Sequence, residues 1–520
     1  MCATIRPAGT MFNSYNWGGY LLWALPDRPV FVDGRTDLYG DAFLRRWLDA
    51  ATGGDGWRDL FAEYDIGFTV IETGSGLATL LAAEPGWRLA YSDDLASIYV
   101  EGIMIKDRDA LSLTGLLADF RLLITLFLAF RLLSLLAYQP MFAAGFERGV
   151  TAGGDFFYYF QLGSFAREGL LPFRDWWSEF PPLPAFLNSV IAVGFGGNGY
   201  PGFAIIFGVI MTLFDLGNLV RMRQIGSKLH GANTGMALAW IYALSLAPAV
   251  FIWWNFEPMV AFFLLSALWA LLNRRDGRSA VWALVGALTK FTPAIILGAV
   301  WRYRSPKKAF RYSLITLGGF ALVYLLLFAQ NSVMTIPSLT AQFNKASYQT
   351  VWALLDGNYT TGNFGAANER LDPANAYRVN GNPAVIPGVV RLGAAALIGA
   401  FIFWRTKRFD DRGLVAFTTL TLLIFFLQAQ GWSPQWLAQI VPLLLLCFPT
   451  RNGVTLIVLL SGLVFIEYPF LFIRTGDTGG VITGSLMTPF VGLVIGRTLL
   501  LVMVCVALYR RLRVAMPDEQ

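Results

Sequence analysis

The sequence is poor in the residues that hold metals and poor in charge of either sign. Its one histidine, His230, stands in the basic loop RMRQIGSKLHG and reads as a plain loop residue, since a lone imidazole makes no zinc site. Three cysteines, Cys2, Cys447 and Cys505, show no motif spacing, and two lie in apolar runs; a disulfide framework or metal cluster is not expected. Only 14% of the residues are charged, too few for the surface of a soluble protein of 520 residues. The net charge of +6 is scattered over the ends of apolar runs, so nucleic acid is not an expected partner. No phosphate-cradling glycine motif or nucleotide-binding pattern occurs. The chain opens on a polar stretch with no apolar h-region, so no signal peptide is expected.

What remains is apolar. Hydrophobic residues make up 56% of the chain and the mean hydropathy is +0.53. Such a composition belongs to a polytopic membrane protein. Apolar runs suited to crossing a bilayer lie near 116–138, 201–220, 233–253, 257–272, 279–289, 291–303, 309–330, 384–404, 413–429, 434–449, 453–472 and 488–509, about 12 spans. The run 279–303, with Lys290 and Pro293 at its middle, reads as a helical hairpin that goes in and returns. Residues 183–197 are short and proline-led and read as an interfacial helix.

With that assignment RMRQIGSK, NRRDGR, RYRSPKKAFR, RTKRFDDR, TRNG and YRRLR fall on one side, which the positive-inside rule makes cytoplasmic. Residues 139–182, the turn WWNFEP, the loop 331–383, QGWSPQ and 474–487 fall on the other. Even parity places both termini in the cytoplasm.

Residues 1–110 read differently, as a small α/β domain ahead of a membrane domain spanning 111–515. PVFVDG and GFTVIE have the pattern of strands, DAFLRRWLDAA that of an amphipathic helix, and WRLAYSDDLASIYVE that of a hairpin turning at Asp93 and Asp94. NSYNWGGY is read as turn-building. The stretch from FNSYNWGGYLLWALPDRPVFVDGRTDLYGD to the hairpin resembles the extracytoplasmic domain that ends some large bacterial membrane glycosyltransferases. That resemblance conflicts with a cytoplasmic N-terminus, and the side on which residues 1–101 lie stays open.

The richest stretch for chemistry is GGDFFYYFQLGSFAREGLLPFRDWWSEFPPLP, which carries Asp155 and Glu179 just after the first span. An acid at a membrane–water boundary is partly buried, which raises a carboxyl pKa toward the range of a general base. Lys290, in GALTKFTPAIIL, is a cation in the middle of an apolar hairpin, where a charge is costly and functional by default. Arg174 is a second cation, on the loop that carries the acids.

An acid early in the first outer loop, an aromatic-rich helix and then WSEFPPL leading into an interfacial helix resemble the GT-C superfamily of membrane glycosyltransferases. The likeness is greatest to bacterial polyprenol-phosphate-mannose-dependent mannosyltransferases and runs over about 140–450. The resemblance implies a GT-C-like, mainly α transmembrane bundle that transfers a hexose, mannose above all, from a polyprenyl-phosphate donor. The acceptor would be a glycan or glycolipid, the stereochemistry inverting, and the place the extracytoplasmic face of the plasma membrane. It makes Asp155 the catalytic base and sets Glu179 on sugar hydroxyls. Lys290, opening a K-x-x-P element with Pro293, would contact the leaving phosphate, with Arg174 as the alternative. Ser433, Pro434, Gln435 and Trp436 match an S-P-x-Y/W element that opens a late span. Gln430 and Gln435 would bond sugar hydroxyls, and Trp432 or Trp436 would stack on a sugar face or anchor the chain in the interface. Glu257 stands where relatives often show Asp, which places it among the substrate-binding candidates, although its local reading is an acid at a helix N-terminus. The loop SYQTVWALLDGNYTTGNFG suits saccharide hydrogen bonding, and its composition equally fits plain solvation. No cofactor is implied, and a divalent metal is left open. A transporter or lipid-linked sugar flippase shares the spans and the lysine but would display inverted repeats. A further alternative is a binding module on an inactive anchor.

Overall fold

The structure is a computed structural model of the chain, described here for residues 9–101, 113–138, 155–195, 197, 199–245, 255–362, 365–475 and 478–514. The chain divides into two compact units, Met1–Leu116 and Leu117–Gln520.

The first unit holds a four-stranded sheet. Strands β1 (Thr10–Asn13), β2 (Ile66–Glu72), β3 (Trp87–Ser92) and β4 (Ala96–Glu101) lie in the order β1-β2-β4-β3, with β1 parallel to β2 and the other pairs antiparallel. The hairpin β3–β4 turns where the sequence places it, and Asp93 Oδ1 accepts from the N–H groups of Leu95 and Ala96. The helix Gly40–Thr52 sends Phe43, Trp47 and Ala50 toward Phe12, Phe31, Trp57 and Leu77. It ends at Gly53, whose φ of 86° suits a residue without Cβ.

PVFVDG is not a strand. Phe31 and Val32 are buried but lie outside any strand, and their partner is a side chain: Asn13 Oδ1 accepts from Phe31 N at 2.8 Å and Val32 N at 3.3 Å, and Asn13 Nδ2 donates to Val32 O at 2.8 Å. One amide thus replaces a strand neighbour, and periodicity alone does not distinguish the two. Gly18 lies under the same segment, where a Cβ would come 2.2 Å from Val32 O. Arg35 forks onto buried Asp33 at 2.5–3.1 Å, and that hydrogen-bonded pairing holds the Asp33 carboxyl down at about 2.

The second unit is helical. Among the described residues six helices are long and apolar enough to cross a membrane: Gly199–His230, Pro306–Thr335, Gly388–Arg405, Asp411–Gln428, Arg451–Tyr468 and Gly484–Arg513. The sequence predicts about 12, and the difference has a physical origin. Glu257–Leu272 and Leu437–Cys447 are apolar on every face because they are enclosed by other helices, a pattern that a hydropathy reading cannot separate from lipid exposure. Both are shorter than a crossing of about 20 residues requires. The expected span 233–253 begins as the helix Ala232–Leu244, and 246–254 lie outside the described residues, as do 139–154 of the first outer loop.

Two local features bring polar groups together. The arms Asp276–Ala287 and Ile296–Tyr303 go in and come back, since Arg304 Nε at the end of the second bonds Asp276 Oδ1 at the start of the first, at 2.9 Å. Lys290 sits at the tip. The helix Pro182–Phe195 packs on Asp155–Ser164 so closely that a Cβ on Gly163 would meet Asn188 O at 2.4 Å. Its other face exposes Phe186, Val190 and Val193, an apolar stripe at helical spacing.

Asn13→Ala leaves the N–H groups of Phe31 and Val32 without their acceptor, a cost of about 2 kcal/mol or more. Amide exchange at 30–33 in the full-length protein should rise well above that of β2. Unchanged exchange there would show that the segment has another support.

Candidate functional site

A cavity of about 400 Å³ lies within the second unit. Its walls come from segments far apart in sequence: Asp155 at the start of its helix, Glu179 to Pro181, the hairpin tip at Lys290, residues 342–349, Arg391, residues 428–436 and Tyr468. Of the residues singled out by sequence, Asp155, Glu179, Lys290, Gln430, Gln435 and Trp436 all line it. Arg174 does not; it is half-exposed and donates to Asp175 Oδ2 at 2.7–2.8 Å and to Gly169 O at 2.8 Å.

The two acids have different surroundings. Glu179 is buried and carries Lys345 Nζ and Gln342 Nε2 (3.2 Å) on Oε2, with Arg370 at 3.8 Å from Oε1. Arg370 in turn faces Trp177, 4.2 Å away, and Tyr158, 5.7 Å away. Trp177 N donates to Arg370 O and its Nε1 to Asp372 O. Glu179 therefore ties residues 342–345 and 370–372 to the loop before the Pro182–Phe195 helix.

Asp155 has no such partner. Among the described residues no cation forms an ion pair with it, and its contact is Tyr159 Oη at 3.4 Å from Oδ2. Burial, reinforced by the charge of Glu179, pushes its carboxyl up to about 7.

Lys290 is ion-paired with Glu257 Oε1. Glu257 opens the helix Glu257–Leu272, as an N-terminal acid should, but its carboxylate is also spent on a network. Oε2 accepts from Gln439 Nε2 at 2.6 Å, and Gln439 Oε1 accepts from Thr292 Oγ1 at 2.9 Å. Glu257 stands behind Lys290 and does not line the cavity. The ammonium lies 5.9 Å from the ring centre of Phe180 and 5.7 Å from that of Trp436.

On the opposite wall Tyr348 and Gly431 pair as a short bridge, Trp432 N donating to Tyr348 O and Tyr348 N to Gln430 O, both at 3.1 Å. Gly431 is required there, since a Cβ would fall 2.2 Å from the Tyr348 ring. Trp436 stacks on Phe426 at 4.2 Å. Trp432 also lines the cavity, but it is only 2% exposed and its Nε1 is used by Glu467 Oε2 at 3.0 Å. Gln430 accepts from Arg391 Nη2 at 3.3 Å and donates to Gln342 O.

Sequence reading passed over Arg391. It is only 4% exposed, lines the cavity, and keeps Nε and Nη1 without a hydrogen-bond partner among the described residues. The signal was present, since an arginine in the first turn of a membrane-length helix is costly unless it faces a polar space. Lys345 was also missed, and Gln349 was not named although it lies in the loop SYQTVWALLDGNYTTGNFG, whose composition fits saccharide hydrogen bonding and solvation alike. The arrangement offers a carboxylate able to take a proton at neutral pH, a guanidinium with unused donors and several amides, which suits an anion and neighbouring hydroxyls. Among the described residues no three His, Cys, Asp or Glu side chains converge as metal ligands.

Fold and cavity together define a multi-pass helical membrane protein with a largely apolar cavity into which a few charged and amide side chains project. No protein-family model and no curated protein matches the sequence. Among solved structures the chain is similar to two crystal structures of the Archaeoglobus fulgidus oligosaccharyltransferase, one in complex with Zn and sulfate, the other tethered by a disulfide to an acceptor peptide containing the NVT sequon. Identity is 11% in both, with TM-scores of 0.30 and 0.35, over 76% of this chain and 54% and 56% of theirs. The chain thus spans about half the length of those chains. At this distance the likeness transfers neither activity nor site residues.

The Lys290–Glu257 pair can be tested by stability. Lys290→Met and Glu257→Gln should each lower it by about 3 kcal/mol, because each leaves a buried partner uncompensated. The double variant should lose much less than the sum. Thermal unfolding in detergent measures all three; strictly additive losses would show that the two side chains do not act as a pair.

Proposed function

We propose that this chain is a membrane glycosyltransferase of the GT-C kind. It moves a hexose, mannose first among the candidates, from a polyprenyl-phosphate donor to a glycan or glycolipid acceptor with inversion. One observation carries the reading: a single cavity holds an acid, Asp155, and a buried guanidinium, Arg391, that among the described residues have respectively no ion-pair partner and two unused donor atoms. The acceptor hydroxyl gives its proton to Asp155 as its oxygen bonds the anomeric carbon. The bond from that carbon to the phosphate oxygen breaks, and the phosphate leaves with the electron pair. A displacement of this kind has oxocarbenium character, as in inverting glycosidases.

Arg391 is the first choice for the departing phosphate. Lys290 comes second, because Glu257 already offsets its charge, and Arg174 third, because it lies off the cavity. Gln430 and Gln435 are assigned to sugar hydroxyls and Trp436 to a sugar face. Glu179 holds the loop that carries the hydroxyl-binding groups. The cavity is assigned to the extracytoplasmic side of the plasma membrane, opposite the basic loops.

Membranes containing the protein, given labelled polyprenyl-phosphate-mannose, should yield labelled glycan or glycolipid. Movement of the intact lipid across the bilayer without a new glycoside would replace the reading with a flippase. Turnover should rise with pH through about 7, since the raised Asp155 carboxyl becomes a base only above its pKa. Asp155→Asn should cut turnover by about two to four orders of magnitude and flatten that rise. Full activity in correctly inserted protein would remove Asp155 from the mechanism.

Topology has its own check. After replacement of the native cysteines, a cysteine placed in 331–362 should react with an impermeant thiol reagent from outside, and one in 406–410 should not. The reverse labelling pattern would move the cavity to the other face.

A further inference from the structure

Beneath the cavity lies a charged pair that the proposed chemistry does not use. Glu467 and Arg497 are almost wholly enclosed and ion-paired, on the last two membrane-length helices. Neither faces the cavity, yet each holds something that does. Glu467 Oε2 accepts from Trp432 Nε1 at 3.0 Å, and the Arg497 guanidinium lies 4.3 Å from the centre of the Trp432 ring. Arg497 also donates to the backbone carbonyl of Gln349. Next to Glu467, Tyr468 leaves the helical conformation (φ −141°, ψ 124°), as a residue before proline tends to, and lines the cavity.

Gln349 explains why such a pair is needed. Its φ of 52° is left-handed and unfavourable for a side chain with Cβ, so something must hold the backbone there. Its Oε1 is used by Gly362 N at 3.1 Å, and its Nε2 is buried without a partner among the described residues, at the cavity wall. Gln349 and Trp432 come from separate segments and are held by the same two charges, and Tyr468 follows Glu467 directly in the chain.

We propose that Glu467 and Arg497 are positioning residues: their ion pair sets the geometry of the cavity wall and, through it, aims the Gln349 amide at the bound sugar. The amide's role rests on the glycosyltransferase reading; the positioning of the wall does not.

A purely structural pair is often replaceable by apolar side chains of similar volume at little cost in stability. The test therefore uses the double variant Glu467→Leu with Arg497→Met in the full-length protein. Thermal unfolding in detergent should stay near wild type, while amide exchange in peptides covering 345–352 and 429–436 should rise about tenfold. In the labelled-donor assay KM should rise more than kcat falls, with kcat/KM down by up to about a hundredfold. Wild-type exchange in those peptides would overturn the positioning. Altered exchange with wild-type kinetics would overturn the role of the Gln349 amide. Absence of transfer by the wild-type protein would defeat the enzymatic reading and leave the exchange result to decide the positioning alone. If the double variant does not fold, Trp432→Phe serves instead: it removes the N–H donated to Glu467 and keeps a ring over Arg497. It should raise exchange in 429–436, and unchanged exchange would count against the pair.

Discussion

A charge enclosed by apolar helices must meet its opposite or face a polar space, and the second unit is arranged around that constraint. The desolvation of an ion costs several kcal/mol even after the protein relaxes, so an unmatched charge in such a place is not tolerated without cause. Arg131 meets Asp215 at 2.6 Å, with Tyr242 on the other carboxylate oxygen. Lys290 meets Glu257, Glu179 meets Lys345, and Arg497 meets Glu467. Each pair joins segments distant in the chain, so each also fixes how helices approach one another. Against that pattern Asp155 and Arg391 stand out, since among the described residues both have only neutral hydrogen-bond partners and both line one cavity.

The cavity is built less by any helix than by the breaks between helices. Lys290 lies at a hairpin tip, Gln349 and Tyr348 on an irregular loop, Ser433 to Trp436 in a short 3-10 turn, and Tyr468 at a kink. Backbone polar groups at such breaks need partners, and they find them in one another or in buried side chains. The bridge between Tyr348 and Gly431 and the carbonyl of Gln349 on Arg497 are examples. Polar backbone, amide side chains and charges therefore accumulate in one place. Glycine at 431 and 362 lets the Tyr348 ring lie close against the backbone, closing the wall.

Much of this was legible in the sequence, and the limits were specific. The hairpin around Lys290, the short helix after Pro182 and the strands near 66–72 and 87–101 follow from hydropathy, proline and alternation. Asp155, Glu179, Lys290, Gln430, Gln435 and Trp436 were singled out from three separated stretches, and the structure brings them to one cavity. The count of crossings was not legible, because a helix buried in protein and one buried in lipid have the same composition. The strand expected at PVFVDG failed for a related reason: a side-chain amide can satisfy buried backbone groups as well as a neighbouring strand can.

By itself the sequence determined that the chain lies in a membrane, where the charges gather and which acids and cations stand at interruptions of apolar runs. These are local properties, set by transfer of residues between water and apolar surroundings and by the backbone preferences of proline and glycine. Only the tertiary structure decided which charges neutralise each other. Glu257 changed from a helix-end acid to the partner of Lys290, Glu179 became a tie between loops, and Arg391 emerged with donors unused. Pairing depends on ångström distances between segments scores of residues apart, and no periodicity in one chain records them.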